Sequence, residues 1–599
     1  MAKLFELRPN KSLLDPNFES YKLSLDQLPT YQHELPVSVE HLKPDNEQFS
    51  FQHAKNFGLH NHLVADLWHN NLAYFISKDH HIFRTEVHSL LSQHPNFKPV
   101  WEIPVKYLPR SGHYNPTLSF LNANIAIVSD GAGLIYIVDT SSRETNDPQP
   151  WQVLYTHEVF GTEKPFIILH SYLDGNEAGE INGLHALLLR VEPLNQVETQ
   201  IPLSDLGCKE DETPFVSLLE WVLYTNKDGH WSLQHLRRIA VPRGVDYASI
   251  LNPGKALAIV AREPLGLVYD SINSVATNSS ITPEEKRKAA YLWSQHSDDV
   301  CIWFSLEKDS SKDDLKIEIT DESLAVEYKT KPILKGQLSH KVDADSSSWT
   351  LLEGKLEIFL AKTVKDEKWE ELVIGDNRGE YIPDPEALTE WRHRLIHLTS
   401  EEMTPEMSSE RFRVFNTEQY EECDAFPADE TYLFRLDGET RTVTHKASLG
   451  SHQVLFITQL SPNMAPALCL RHNVDGLIWQ PMGDELESAW NCLHTATFQA
   501  LGYVQASKEQ RKFSVCPPNY SYAALCDALR HVYLYRQPGP LSSGVELTHR
   551  PTGKKVGSVA KQQVLYLDSG EEILGALAFD TILLILTSSS LFAIKVNDD

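Results

Sequence analysis

The 599-residue sequence predicts an all-β fold: a β-propeller of about seven blades, interrupted by an inserted antiparallel β-sandwich with short helices on either side. Three observations carry that expectation. A strand–turn–strand unit recurs about seven times along the chain. The recurrence stops between about residue 280 and residue 430. Inside that interval lies a block of shorter strands with its own two-residue alternation.

The recurring units are Leu72 to Phe83, Ile125 to Val138, Leu218 to Leu236 around Asn226-Lys-Asp-Gly229, and Ala256 to Tyr269 around Arg262-Glu-Pro-Leu-Gly266. After the interruption come Ala467 to Trp479, Tyr522 to Tyr535 and Ile582 to Ile594. Each is a hairpin with too little apolar surface to stand alone, so it must stack on neighbours. About seven such hairpins fit a propeller better than a single sandwich. Residues 1–280 and 431–599 are therefore expected to be two parts of one propeller. Either part alone has too few blades to close a ring and would leave sheet edges open.

The interruption opens at Thr282-Pro-Glu-Glu285, a capping box with proline at the first helical position. Asp384-Pro-Glu starts a second helix, with Leu388, Trp391, Leu395 and Leu398 on one face. Between them Val300, Ile302, Phe304 and Leu306 alternate inward, followed by strands at Leu315 to Ile319, Leu324 to Tyr328 and Leu334 to Leu338. Asp345 to Leu360 is a β-hairpin with period two on both arms and Glu353-Gly354 at the turn, where glycine supplies positive φ. The expected division is a sandwich over 287–376, with this hairpin as its central ladder, and a helical connector over 377–430.

Within this block, Trp293-Ser-Gln295, the Val300 strand, Lys312-Asp-Asp-Leu315, Leu334-Lys-Gly-Gln-Leu338, Asp345-Ser-Ser-Ser-Trp349 and Trp369-Glu-Glu-Leu-Val373 resemble, in order and spacing, the CS domain of the NudC family. Outside it, Leu14 to Leu25, Cys469 to Pro481, Ala500 to Lys508 and Pro518 to Cys526 extend the resemblance over nearly the whole chain. The resemblance implies a CS-type sandwich similar to the small co-chaperones that work beside heat-shock protein 90. It implies a non-catalytic adaptor that binds that chaperone and client propellers through the sandwich and the propeller. The alternative it implies is a scaffold subunit of a trafficking (coatomer) or dynein-associated complex. The coiled coil through which some members dimerise has no counterpart here, because no heptad run occurs; a monomer is expected.

Composition narrows the partners. A formal charge of −28 repels phosphate backbones and anionic lipid, and no Lys/Arg block exceeds Lys286 to Lys288. Protein partners are expected, with no nucleic acid and no membrane insertion. No apolar h-region follows Met1, and the most apolar stretch, Ile573 to Val596, is broken by Asp580 and Ser588-Ser-Ser590 into two strands. Seven scattered cysteines without C-x-x-C spacing read as thiols of a reducing compartment, cytoplasmic and also nuclear.

No pattern points to catalysis. Gly131-Ala-Gly133 follows an apolar strand, but a second strand comes next where a helix N-terminus would have to hold a pyrophosphate. It reads as a hairpin turn, and Gly553-Lys-Lys reads as a basic turn. His53, His60, His62, His69, His80 and His81 lack H-x-x-x-H spacing and read as surface or loop histidines. No nucleophile elbow occurs, so neither enzyme activity, cofactor nor metal is expected. The candidate partner-binding residues are Trp303, Lys312, Lys316 and Lys335. Trp303 alternates outward beside Cys301 and Ser305, so either the propeller covers it or a partner does. The lysines by themselves are solvated charges; the family resemblance makes them a patch on which this acidic chain could meet an acidic partner.

Overall fold

The computed structural model describes residues 2–597 apart from 274–289, 382–430 and shorter stretches such as 176–180, 209–213, 541–546 and 549–554. Both expected flanking helices, and Gly553, lie outside the described residues.

Among the described residues, seven sheets with four principal strands each form the propeller. Blade one holds Leu63–Ala65, Leu72–Ile76, His81–Glu86 and Lys98–Glu102; blade two holds Thr117–Phe120, Ile125–Ser129, Leu134–Asp139 and Gln152–Glu158. Blade three runs from Ile167–Gly175 to His230–Val241, blade five from Val454–Thr458 to Trp490–Phe498, and blade six from Arg511–Val515 to Ser558–Tyr566. Both faces of a blade are covered. In blade two, Ala126, Val128, Leu134, Tyr136 and Val138 pack toward blade one, while Ile127, Ile135 and Ile137 pack toward blade three. With water on neither face, the strands read as unbroken apolar runs. Among the described residues seven such inter-blade cores follow one another, and the last joins Ile582, Leu584 and Leu586 of blade seven (Gly575–Ala578, Ile582–Leu586, Ser590–Lys595 and Thr30–Glu34) to Leu63, Ala73 and Phe75 of blade one. The ring closes.

Six of the seven expected hairpins pair as predicted. The seventh, Ala256 to Tyr269, is not a hairpin. Ala256–Arg262 pairs instead with Thr431–Asp437, across the whole insertion, placing Ala256 opposite Asp437. Gly266–Asp270 departs to the outer edge of blade three, against His230–Val241. Blade four therefore holds Val245–Leu251, Ala256–Arg262, Thr431–Asp437 and, outermost, Val443–Gly450, and the insertion enters between its second and third strands.

The sequence reading also missed a strap. Lys3–Leu4 lies parallel to the outer strand of blade four, and Phe5 enters the core between blades four and five. The Asn10 N–H then donates to His494 Nδ1 on blade five (2.9 Å). Phe18 and Tyr21 enter the core between blades five and six, where the Tyr21 hydroxyl donates to the Gln499 carbonyl (2.6 Å). Lys22–Leu23 lies parallel to the outer strand of blade six, and Thr30–Glu34 is the fourth strand of blade seven, antiparallel to Ser590–Lys595. The described parts of residues 3–34 thus run along the rims of four consecutive blades and cover edges that would otherwise be open.

The inserted sandwich has a five-stranded sheet in the order Val342–Leu352, Lys355–Lys362, Asp299–Ser305, Tyr291–Gln295, Gly379–Tyr381. Leu315–Ile319, Ser323–Tyr328 and Lys331–Gln337 form the opposing sheet. Val300, Ile302 and Phe304 meet Leu324, Val326 and Leu334 in the core between them. Two expectations are corrected here. Val342–Leu352 is an edge strand, so its hairpin is not the central ladder. Gly379–Tyr381 pairs parallel with Tyr291–Gln295, so the sheet runs past residue 376 into the segment read as a helical connector. The turn itself is as expected: Gly354 has φ +77°. Gly354→Val should cost about 1–3 kcal/mol, because a β-branched residue resists that conformation; an unchanged denaturation midpoint would show that the turn relaxes freely.

Candidate partner-binding faces of the inserted sandwich

Alternation in Asp299–Ser305 sends Ile302 and Phe304 into the core and Trp303 to the outer face of the five-stranded sheet. Trp303 lies between Leu292 and Glu357 on the adjacent strands, and its indole N–H donates to Glu357 Oε1 (2.7 Å). That bond fixes the ring without burying it; Trp303 remains half-buried with the whole chain present. Trp349 alternates the other way and packs against the sandwich core from its rim.

The lysines lie elsewhere. Lys312 stands at the sandwich edge with Nζ 5.6 Å from the Trp349 ring centroid, a cation–π arrangement. Lys316 is exposed and paired with Glu318 two residues on (3.0 Å), which raises the lysine pKa and lowers that of the carboxylate. Register places Glu318 and Lys335 in one row across Ala325. Lys316 and Lys335 therefore decorate the outer face of the three-stranded sheet. Trp303 faces out from the opposite sheet and Lys312 stands at the edge, so the four candidates do not share one surface and the three lysines are not a single patch.

A third surface of the sandwich is already occupied. Tyr381 stacks on His472 of blade five (centroids 5.7 Å apart, planes 8° off parallel), and Asn473 Nδ2 donates to its hydroxyl (3.3 Å). From the strap, Arg8 pairs with Glu371 (3.0 Å) and Lys11 Nζ lies 3.2 Å from His340 Nε2. In this seam burial pushes the Glu6 carboxyl up to about 7, against the pull of Arg8. The early histidines also differ from their reading: His53 and His62 are buried. His62 Nε2 lies 3.0 Å from His41 Nδ1, and burial holds His62 well below the ordinary histidine range. The turn reading of Gly131 to Gly133 is correct, with Asp130 Oδ1 accepting three backbone N–H bonds across it.

A closed propeller with a small sandwich spliced into one blade defines the class, a protein built of two protein-interaction folds. The CS domain family profile matches residues 289–362. NudC domain-containing protein 1 of Mus musculus is 36% identical over 598 residues, covering 99% of both chains. The protein of the same name in Xenopus tropicalis is 35% identical over 601 residues, covering 99% of this chain and 98% of its own. The chain belongs to the NudC domain-containing protein 1 family. Among solved structures, Chaetomium thermophilum Sqt1 bound to the N-terminus of the ribosomal protein L10 is 9% identical, covering 89% of this chain and 96% of its own at a TM-score of 0.32. No described helix is long and apolar enough to cross a membrane.

Proposed function

We propose that the chain is a non-catalytic adaptor that binds heat-shock protein 90 and client proteins through its sandwich and its propeller, in the cytoplasm and also the nucleus. Trp303 carries this reading. It is a half-exposed aromatic side chain on the outer face of the sheet, oriented by Glu357 and left out of the sandwich core. Such a group stabilises an interface by its area at little cost in conformational freedom. The seam with blade five and the strap favours a second reading, a rigid scaffold of a trafficking or motor complex, because there the sandwich is held as one more part of the ring.

The test is Trp303→Ala in the full-length protein. Capture of purified heat-shock protein 90 should weaken about tenfold, the scale of one aromatic anchor, with the melting temperature unchanged. A lowered melting temperature with unchanged affinity per folded molecule would make Trp303 a packing residue. No binding of the chaperone by the wild-type protein would overturn the chaperone reading and leave the scaffold.

A further inference from the structure

The spacing His296-Ser-Asp-Asp-Val-Cys301 matches no metal signature, yet strand register gathers three ligand-bearing side chains from it. Tyr291–Gln295 and Asp299–Ser305 are antiparallel, with Gln295 opposite Val300 and Ser294 opposite Cys301. One step toward the turn, the His296 N–H donates to the Asp299 carbonyl (2.9 Å), which sets these two residues opposite each other. Successive side chains alternate faces, so His296, Asp299 and Cys301 all project from the outer side of the sheet, away from Val300 and the core.

Two of the three ligand distances already stand near those of a closed site. The three ligand atoms all lie within 4.8 Å of one another. Cys301 Sγ is 3.6 Å and His296 Nε2 3.8 Å from the same oxygen, Asp299 Oδ1. Around a tetrahedral zinc with Zn–S of about 2.3 Å and Zn–N and Zn–O of about 2.0–2.1 Å, neighbouring ligand atoms stand roughly 3.3–3.6 Å apart. Shifts of a few tenths of an ångström bring the two Asp299 distances into that range, and rotation of the His296 and Cys301 side chains must close the remaining imidazole–thiol gap, which is at most 4.8 Å. The thiol is buried while His296 and Asp299 are half-buried, so the site opens to solvent on one side.

We propose that His296, Asp299 and Cys301 bind Zn²⁺, with water in the fourth position. One thiolate, one imidazole and one carboxylate suit zinc and exclude the all-oxygen preference of calcium and magnesium. Binding forms the S–Zn bond and releases the Cys301 thiol proton to solvent, so affinity rises with pH. Trp303 follows two residues later on the same face, which puts the metal at one end of the surface proposed above, although the site does not depend on that reading.

Titration of the full-length, metal-stripped protein with CoCl₂ is the direct test. A single-site thiolate-to-cobalt charge-transfer band should appear together with the intense visible bands of four-coordinate cobalt, and ZnCl₂ should displace both. Cys301→Ser should abolish the charge-transfer band. His296→Ala and Asp299→Asn should each weaken cobalt binding by about tenfold or more. The two polar-ligand variants keep the test open should Cys301→Ser disturb the sheet. Absence of the band in the wild type, its survival in Cys301→Ser, or unchanged affinity in both other variants would overturn the site.

Discussion

Removal of residues 1–34 is expected to abolish cooperative folding, although the strap contains almost no regular structure of its own. Thr30–Glu34 supplies the fourth strand of blade seven, and its loss exposes the edge of Ser590–Lys595. Phe5, Phe18 and Tyr21 leave three holes in two inter-blade cores. Burial of one large apolar side chain stabilises by about 1.5–3 kcal/mol, so three of them and a strand together approach the roughly 5–15 kcal/mol by which a domain is stable. The truncated chain should be insoluble, or melt without a calorimetric peak, and a peptide of residues 1–34 added in trans should partly restore the transition. A truncated chain that melts cooperatively within a few degrees of the full-length protein would make the strap an accessory.

That strap shows where the sequence stops being legible. A blade buried on both faces writes itself as a continuous apolar run, so Ile125-Ala-Ile-Val and Leu134-Ile-Tyr-Ile-Val announce paired strands from composition alone. A two-residue parallel strand such as Lys3–Leu4 has no period to detect, and its partner lies some four hundred residues away in the chain. Blade four fails for a related reason. Ala256 to Tyr269 looks like a hairpin because both arms are apolar, whereas the third strand of its blade follows the insertion at Thr431. Local alternation correctly sent Trp303 outward. It could not say that Lys316 and Lys335 belong to the other sheet, because sheet membership is decided by pairing and not by period. The same limit hid the His296–Asp299–Cys301 cluster, which register alone assembles.

The second large effect concerns the tie between blades one and two. Arg143, 1% exposed, donates from Nε and Nη2 to the two carboxylate oxygens of Asp66 (2.6 and 3.1 Å). It also donates to Thr140 Oγ1 (2.6 Å) and the Asn122 carbonyl (2.8 Å), and stacks over Phe120 at 4.4 Å. Asp66 in turn holds the Trp68 N–H and His69 Nδ1. Asp66→Ala removes the counter-charge and leaves a guanidinium with no route to water, which should cost about 3–5 kcal/mol. The energy belongs to the stranded charge more than to the pair. A double variant, Asp66→Ala with Arg143→Met, should therefore be more stable than Asp66→Ala alone, because methionine fills part of the space over Phe120 without needing a partner. Denaturant unfolding of the two single variants and the double variant closes the cycle. A double variant less stable than Asp66→Ala would mean that Arg143 acts mainly through Thr140, the Asn122 carbonyl and Phe120, and that the buried charge finds adequate solvation from them without Asp66.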